Sequence, residues 1–454
     1  MNRYRFRIPL ILVALVMTTG RWAGPSLAAA PPNFIVIMSD DQSWVGTSTT
    51  MLPGRPDTRS DYYQTPSIDR LVQQGMLFTN GYSPAPFCCP TRRSLQIGQT
   101  PARHIYLKDQ ENWTAIYRQQ LNIPRLLKKA DPRYQTAHFG KWDHRFDDVS
   151  PQDMGYDTSD GVTGNGTGSG KGTGGPAAKD DPKLIFGITD RACQFMEQQA
   201  QSGNPFYLQV SHYAVHLDIF YRNQTLAQVE QRKAGKKHNM PQFAAMTEDL
   251  DTGIGLMMKK AKSLGLLDNT YIFFLSDNGG RNTLPKSPRQ KVPRNAPLRD
   301  GKGSVYEGGV RVPFVVLGPD IKAGSVSHVP VTGLDIMPTL ATLAGYAQPL
   351  PPNVDGGSIV NVLRQEGEGT VKRLNPFFIF HQAVSRDAET SLRLGNYKLV
   401  KTWRKKRLEL FDLARDLGER NDLSLEMPEK TAELHRLMTG FLEEVAAETR
   451  RTKK

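Results

Sequence analysis

The chain has 454 residues, of which 38% are hydrophobic, so it is long enough to bury a large core without covalent staples. Its three Cys are an odd number, which excludes a complete framework of intramolecular disulfides. The 58 Lys and Arg outnumber the 45 Asp and Glu, and the resulting net charge of +13 favours polyanionic partners.

The first thirty residues predict a cleavable export signal. Three Arg lie before residue 8, an apolar run covers Ile8–Met17, and small residues follow up to Ala30. The run is shorter than the roughly 20 residues that a membrane-spanning helix needs, and no later segment is long and apolar enough. We therefore expect a soluble, secreted or periplasmic protein, with a signal peptide over residues 1–30 and no membrane insertion.

The excess of positive charge persists after the signal is removed. Cleavage takes away four Arg and leaves 54 basic against 45 acidic residues. Such a surface attracts polyanions at long range, and no nucleic-acid-binding motif accompanies it. For an exported protein, sulfated glycans match this charge better than nucleic acid does. A basic surface without a specific partner explains the same count.

Alternating strand and helix patterns predict an α/β sandwich around a mostly parallel sheet, in which ligands collect outside the carboxyl ends of the strands. Five short apolar runs predict buried strands: Phe34–Met38, Ala137–Phe139, Phe206–Val210, Tyr271–Leu275 and Phe314–Leu317. Helical spacing is found at Ser67–Gln74, Thr189–Ala200 and Phe243–Leu264.

Side chains suited to metal binding or catalysis follow four of these runs. They are, in chain order, Asp40 and Asp41, then Lys141, then His212 and His216, then Asp277 and Asn278. Carboxylate and amide oxygens are hard ligands that suit Ca²⁺ or Mg²⁺. A lone Asp-Asp or Asp-Asn pair is more often a helix cap or a turn. Two such pairs at strand ends favour one shared metal site.

A Gly-rich run over residues 161–173 superficially resembles a phosphate-binding loop. That loop needs Gly five residues before Gly170 and Ser or Thr after Lys171, whereas the chain has Asn165 and Gly172 at these positions. We therefore reject a nucleotide site. We expect a mobile loop near the mouth of the site, of a length that also suits a lid.

A proline-rich segment after residue 349 predicts the start of a smaller C-terminal unit, for which a start near Leu374 is the alternative. The chain then divides into a catalytic domain over residues 31–349 and a subdomain over residues 350–454. Two alternating patterns predict a short antiparallel sheet in this subdomain, against which a terminal helix packs: Ser391–Val400 and Leu408–Leu413.

One short motif carries more chemical information than the rest. Cys88-Cys89-Pro90-Thr91-Arg92 resembles the maturation signal of the type I sulfatases of the alkaline phosphatase superfamily, in which the first Cys becomes Cα-formylglycine. Other segments are similar to that family across nearly the whole mature chain: Pro32–Gln42, Thr65–Leu71, Gly75–Tyr82, Phe139–Trp142, Ser276–Gly279, Gly301–Pro313, Gly395–Lys398 and Glu409–Leu413.

The resemblance implies a sulfatase whose nucleophile is the hydrated aldehyde made from Cys88. It implies one Ca²⁺ per chain, held by Asp40, Asp41, Asp277 and Asn278 together with an oxygen of the modified Cys88. It also implies that a formylglycine-generating enzyme matures the protein. The expected substrate is a sulfated carbohydrate or an aryl sulfate.

Four further site residues are implied by the same resemblance. Arg92 is expected beside the hydrated formylglycine, and Lys141 and Lys302 are expected to contact the sulfate oxygens. Two ammonium groups on one anion suit stabilisation of the transferring group. His216 matches the family position that protonates the leaving alcohol.

Three positions differ from the family's usual pattern. Ile97 stands before Gly98 where Thr is usual, and Gln99 replaces a common basic residue. Asp143 takes the place of the His that usually follows Gly-Lys-Trp, and the next residue is His144. We interpret His144 as a candidate catalytic base in a shifted register.

Three functions fit these residues. The first is an exported, calcium-dependent sulfatase that acts on O- or N-sulfate esters, and the second is a phosphonate monoesterase or phosphodiesterase of the same superfamily. The third is a catalytically silent binder of sulfated glycans. The sequence leaves open the particular substrate, internal or terminal cleavage, and the oligomeric state.

Overall fold

The computed structural model describes Met1 and residues 30–104, 115, 117–144, 149–166, 180–288, 290–383 and 387–447. The predicted export signal therefore lies almost wholly outside the described residues, as does the second half of the Gly-rich run. Residues 31–454 form one compact unit. Within the described ranges, no helix combines the length and the apolarity that crossing a bilayer requires.

Fourteen strands and eleven α-helices have described bounds. The strands are β1 Asn33–Ser39, β2 Met76–Phe78, β3 Gly81–Tyr82, β4 Gln135–Gly140, β5 Thr158–Ser159, β6 Phe206–Ser211, β7 Thr270–Ser276, β8 Phe314–Leu317, β9 Ser325–Ser327, β10 Val331–Thr332, β11 Phe378–Gln382, β12 Glu389–Leu394, β13 Tyr397–Thr402 and β14 Arg407–Asp412. The helices are Pro66–Gln74, Cys88–Ile97, Pro101–His104, Ile123–Ala130, Ile185–Ser202, Asn223–Val229, Pro241–Ser263, Glu307–Val310, Ile336–Leu343, Val360–Arg364 and Pro428–Glu444.

Eight strands form the central sheet, in the order β5-β4-β6-β1-β7-β8-β2-β9. The first five strands in this order, β5-β4-β6-β1-β7, run parallel to one another. The next strand, β8, is antiparallel to both β7 and β2. Every residue of β1, β6 and β7 is buried, because the sheet is covered on both faces. The predicted α/β sandwich with a mostly parallel sheet is confirmed.

The central strand β1 contributes alternate side chains to two separate cores. Ile35 and Ile37 pack in the core that includes the helices Ile185–Ser202 and Pro241–Ser263. The intervening residues of β1 join the opposite core, which includes the helix Ile123–Ala130. This alternation follows from the two-residue period of a strand, and it leaves the carboxyl edge of the sheet for the site.

The four strands that are followed by side chains suited to metal binding or catalysis are neighbours in this sheet. The order β4-β6-β1-β7 is unbroken, and all four strands run in the same direction. Their carboxyl ends therefore meet at one edge. The residues that follow them in the chain start from adjacent positions on that edge.

The C-terminal sheet is antiparallel, in the order β11-β12-β13-β14, and the helix Pro428–Glu444 packs against it. The predicted strand pattern over Ser391–Val400 is a hairpin, because Gly395 adopts a left-handed φ of 59° and turns the chain between β12 and β13. The division of the chain after residue 349 stays a prediction.

A buried ion cluster links this sheet to the segment that carries Lys302. Lys398 on β13 lies 2.8 Å from Glu307 and 2.9 Å from Glu419, and all three side chains are fully buried. The backbone N–H of Glu307 donates to Glu419 Oε2 at 2.7 Å, and Arg299 donates to the backbone oxygen of Glu419 at 2.9 Å. The C-terminal sheet therefore holds the chain on both sides of Lys302.

Replacing Lys398 by Met is expected to lower the free energy of unfolding by about 3–5 kcal/mol, because Glu307 and Glu419 would stay buried without their shared cation. Denaturation in urea measures this change. Lys405→Met, in the exposed turn before β14, removes the same charge and should cost less than about 0.5 kcal/mol. Equal losses for the two substitutions would contradict a stabilising role for this cluster.

Candidate active site

Two strand ends bring four oxygen-bearing side chains together. β1 and β7 pair in parallel register up to their last residues, so Asp40 and Asp277 leave the sheet side by side. The N–H of Asp41 donates to Asp277 Oδ1 at 3.1 Å, and Asn278 Nδ2 donates to Asp41 Oδ1 at 2.8 Å. The four predicted metal ligands thus form one cluster, and none of them is more than 2% exposed.

Two lysines, carried by distant segments, meet this cluster. Lys141 follows β4 and places its Nζ 2.6 Å from Asp40 Oδ2, and Lys302 places its Nζ 2.5 Å from Asp41 Oδ1. Burial alone would raise the pKa of Asp40, but the surrounding positive charges, that of Lys141 first among them, hold it well below its usual value. Asp40 is therefore ionised at neutral pH.

Arg92 reaches the cluster from the helix Cys88–Ile97. Its Nη2 and Nε donate to Asp277 Oδ2 at 2.6 and 3.1 Å, and its Nη1 donates to the backbone oxygen of Lys141 at 2.6 Å. Burial and the negative charge of Asp40 raise the pKa of Asp277, although Arg92 opposes this shift. Neighbouring buried carboxylates repel each other, and a bound cation would reduce this repulsion.

Cys88 is the first residue of its helix and is only 4% exposed. Its Sγ and carboxylate oxygens of Asp40 and Asp277 all lie within 4.8 Å of one another. Burial raises the pKa of the thiol to about 12, against the opposing charge of Lys141. The predicted nucleophile position therefore faces the predicted metal ligands, and its thiol is protonated at neutral pH.

His216 approaches the cluster from the loop after β6. Its Nε2 lies 3.8 Å from Asp41 Oδ2, and its Nδ1 is 2.6 Å from the backbone oxygen of Leu217. A carbonyl only accepts, so Nδ1 carries the hydrogen and Nε2 is the nitrogen that faces the cluster. Burial lowers the pKa of His216, and the charges of Asp40 and Asp41 act in the opposite direction.

Buried oxygens without hydrogen bonds indicate a place for a cation. Asp40 Oδ1, Asp41 Oδ2 and Asn278 Oδ1 are buried and accept no hydrogen bond from any described residue, a condition that is rare in native proteins. Asp143 adds a fourth carboxylate, 3.4 Å from Lys141, to a cluster with three cationic side chains. Hard oxygen ligands with an excess of negative charge fit a divalent cation such as Ca²⁺ or Mg²⁺.

His144 makes its described contacts away from this cluster. Its ring stacks on Trp142, with 4.1 Å between centroids, and meets Tyr117 edge-on at 6.0 Å. Burial lowers the pKa of His144 well below its usual value. Its neighbour in the chain, Asp143, is the one of the two with a described contact to Lys141, at 3.4 Å. The role of His144 as a catalytic base stays a prediction.

Lys183 is a neighbour of the site that sequence patterns missed. Its side chain is 2% exposed, and its Nζ donates to the backbone oxygen of Asp218 at 2.6 Å, in the loop that carries His216. Burial lowers the pKa of Lys183 to about 8, and the negative charge of Asp40 acts in the opposite direction. Lys183 belongs to no motif, so its role could not be read from the sequence.

Comparison with known proteins identifies relatives over most of the chain. Residues 32–346 match the family model described as Sulfatase, and residues 300–448 match the one described as N-sulphoglucosamine sulphohydrolase, C-terminal. A sulfatase of Formosa agariphila is 27% identical, in a match that covers 87% of this chain and 85% of that protein. The N-acetylgalactosamine-6-sulfatase of Mus musculus is 28% identical over 72% of this chain and 65% of its own length.

Two solved structures illustrate the shared fold. Ps i-CgsB in complex with k-i-k-neocarrahexaose has a TM-score of 0.71 at 23% identity, covering 91% of this chain and 93% of that one. The phosphonate monoester hydrolase of Agrobacterium radiobacter has a TM-score of 0.65 at 17% identity, covering 92% and 97%. At these identities the similarity shows the fold, which agrees with the predicted sandwich.

Proposed function

The chain belongs to the sulfatase family, and from this premise we propose that it is an exported, Ca²⁺-dependent enzyme that hydrolyses a sulfate ester on a carbohydrate with formylglycine made from Cys88. It is a sulfuric ester hydrolase. The observation that carries the proposal is the position of Cys88, next to Asp40 and Asp277 and within reach of the charges of Lys141 and Lys302.

The first task of the site is to offset the charge of the sulfate ester, which repels nucleophiles. Lys141 and Lys302 reach the cluster from distant segments of the chain and can neutralise two of the sulfate oxygens without reorganising. A divalent cation on Asp40, Asp41, Asp277 and Asn278 would supply Lewis-acid polarisation of a sulfate oxygen. The three hydrogen-bond-free oxygens support its presence.

The second task is to present a nucleophile and to release sulfate afterwards. A hydrated aldehyde at position 88 would supply both a hydroxyl nucleophile and a route for expelling sulfate, which an ordinary Cys lacks. Arg92 lies one turn after Cys88 in the same helix and is fixed by Asp277 and by the backbone of Lys141. It can therefore orient the hydroxyls of position 88 by donating hydrogen bonds.

The third task is to protonate the leaving alcohol, and we assign it to His216. The backbone oxygen of Leu217 fixes the ring through Nδ1, so Nε2 is the atom that holds or transfers a proton. A positioned imidazole of this kind contributes about 10²–10⁴-fold to rate.

His216→Ala is expected to lower kcat by about 10²–10⁴-fold on an alkyl sulfate and much less on 4-nitrophenyl sulfate. The reason is that nitrophenolate leaves without being protonated, whereas an alkoxide does not. Steady-state kinetics on the two substrates measures the difference. Equal losses on both substrates would mean that His216 does not protonate the leaving group.

Support for a carbohydrate substrate comes from the relatives and from the charge of the chain. The N-acetylgalactosamine-6-sulfatase of Mus musculus is named for a sulfated sugar, and Ps i-CgsB binds a neocarrahexaose. The basic excess that remains after removal of residues 1–30 favours a polyanionic ligand. Export with cleavage near residue 30, and maturation by a formylglycine-generating enzyme, complete the proposal.

The test compares hydrolysis of 4-nitrophenyl sulfate with that of bis(4-nitrophenyl) phosphate by the matured protein. We expect a higher kcat/KM for the sulfate. Faster hydrolysis of the phosphate would favour a phosphodiesterase or phosphonate monoesterase, whose fold is shared. Turnover of neither substrate, with retained binding of a sulfated glycan, would favour a silent binder.

A further inference from the structure

A basic cavity is lined by residues that do not belong to the metal-ligand cluster. Its volume is about 370 Å³, and its lining includes Arg55, Arg311, Arg393, Arg415 and His328. We call it the arginine cavity. None of the described residues that line it is an Asp or a Glu. Its volume falls in the range of small-molecule sites, and it is large enough for one sugar unit.

The floor of the arginine cavity is fixed by its neighbours. Arg311 and Arg393 are 3% and 5% exposed, and both donate to Asn80 Oδ1, at 2.9 and 3.1 Å. Arg311 also donates to the backbone oxygen of Thr79 and is paired with Glu307 at 3.1 Å. Two guanidinium groups are thus held side by side before any ligand binds, which reduces the ordering cost of binding.

Arg393 is a buried cation that has no ion-pair partner within 4.0 Å among the described residues, although its charge acts on the nearby Glu307. In the described part of the chain, no carboxylate oxygen lies within 4.0 Å of its guanidinium, and its hydrogen bonds go from Nε and Nη1 to neutral oxygens of Gly395, Asn80 and Tyr82. Its Nη2 makes no hydrogen bond to a described residue. A desolvated charge is costly unless it is paired, so Arg393 favours an anionic ligand in the cavity.

The arginine cavity opens at the same sheet edge as the catalytic cluster. β2 and β7 are both antiparallel to β8, and β9 is parallel to β2, so these three strands share one direction. Thr79 and Asn80 follow β2, and His328 follows β9, as Asp277 follows β7. A smaller cavity of about 240 Å³ shares Arg393 and extends this basic surface.

We infer that the arginine cavity is a second anion subsite, which takes a sulfate group on a sugar unit other than the one that loses its sulfate. The inference rests on the proposed carbohydrate substrate. Arg393 Nη2 and the exposed guanidinium groups of Arg55 and Arg415 can donate charge-assisted hydrogen bonds to the oxygens of such an anion. The subsite makes a multiply sulfated oligosaccharide a better ligand than a small sulfate ester of equal reactivity.

The test measures binding without turnover. Sucrose octasulfate is titrated calorimetrically into the full mature chain carrying Cys88→Ala, at physiological ionic strength. Adding Arg393→Gln is expected to weaken binding about tenfold or more, the loss that removing a charged hydrogen bond brings. Arg415→Gln, at the exposed rim, is expected to weaken it about threefold. Arg364→Gln removes the same charge outside both cavities and should leave the affinity within about twofold.

Three results would overturn the subsite: no binding by the Cys88→Ala protein, unchanged affinity in the Arg393 and Arg415 variants, or an equal loss with Arg364→Gln. If thermal melting shows that Arg393→Gln does not fold, the double variant Arg55→Gln, Arg415→Gln decides in its place. Failure of the catalytic proposal shows separately, as absence of 4-nitrophenyl sulfate hydrolysis by the matured protein.

Discussion

Cys88→Ala is expected to lower sulfate ester hydrolysis by at least about 10⁴-fold, the order of loss that removal of a covalent nucleophile brings. Ala cannot be converted to an aldehyde, and the remaining cations can bind the ester without attacking it. The fold should persist, with a change in unfolding free energy of about 1 kcal/mol or less. Cys88 begins a helix that is held by Arg92 and by buried apolar side chains on its other face.

Cys89→Ala is the matched control for this substitution. Cys89 is the next residue of the same helix and is 3% exposed, against 4% for Cys88. Its replacement removes the same atoms from an equally buried position, so turnover is expected to stay within a few-fold of the parent. Parent-like rates in Cys88→Ala, measured on 4-nitrophenyl sulfate, would refute the assignment of the nucleophile.

Asp277→Ala is expected to lower turnover strongly and to remove the response to Ca²⁺. Asp277 offers a ligand oxygen next to Asp40 and holds Arg92 at 2.6 Å, so its loss disturbs the metal and the nucleophile together. We expect kcat to fall by roughly 10²–10³-fold or more, the scale of losing one electrostatic contact to the transition state. In the parent, Ca²⁺ at 100 times its Kd should stabilise the fold by about 2.7 kcal/mol.

Thermal melting with Ca²⁺ and with a chelator measures the metal response. Asp277→Ala should melt at the same temperature in both conditions. The control is Asp355→Ala, which breaks a partly buried pair with Arg103 at 3.0 Å outside the site. It is expected to lower the melting temperature and to keep the Ca²⁺-dependent rise. A parent-like Ca²⁺ response in Asp277→Ala would contradict the ligand assignment.

The grouping of the site residues at the strand ends could be predicted, because buried parallel strands can be arranged in few ways. β1 and β7 read as continuous apolar runs, and such runs in an α/β chain form adjacent parallel strands covered by helices. The polar residues after them then have to share one edge of the sheet. This argument located Asp40, Asp41, Asp277 and Asn278 together, and the structure places them in mutual contact.

Other features depend on the paths of loops, which no periodicity encodes. Arg393 and Asn80 are 313 residues apart in the chain and still share a hydrogen bond. Lys183 reaches the loop after His216 across a segment that has no motif. The replacement of the usual His by Asp143 was visible in the sequence, but neither its 3.4 Å contact with Lys141 nor its left-handed φ of 55° was.

The central claim is that Cys88 is converted to formylglycine, and the most direct measurement is the mass of the tryptic peptide that covers residues 71–92. The peptide is taken from protein purified from its native host. We predict the mass expected when the CH₂–SH group of Cys88 becomes an aldehyde, with Cys89 unchanged. An unmodified Cys88, from a host that matures other sulfatases, would contradict the proposed mechanism.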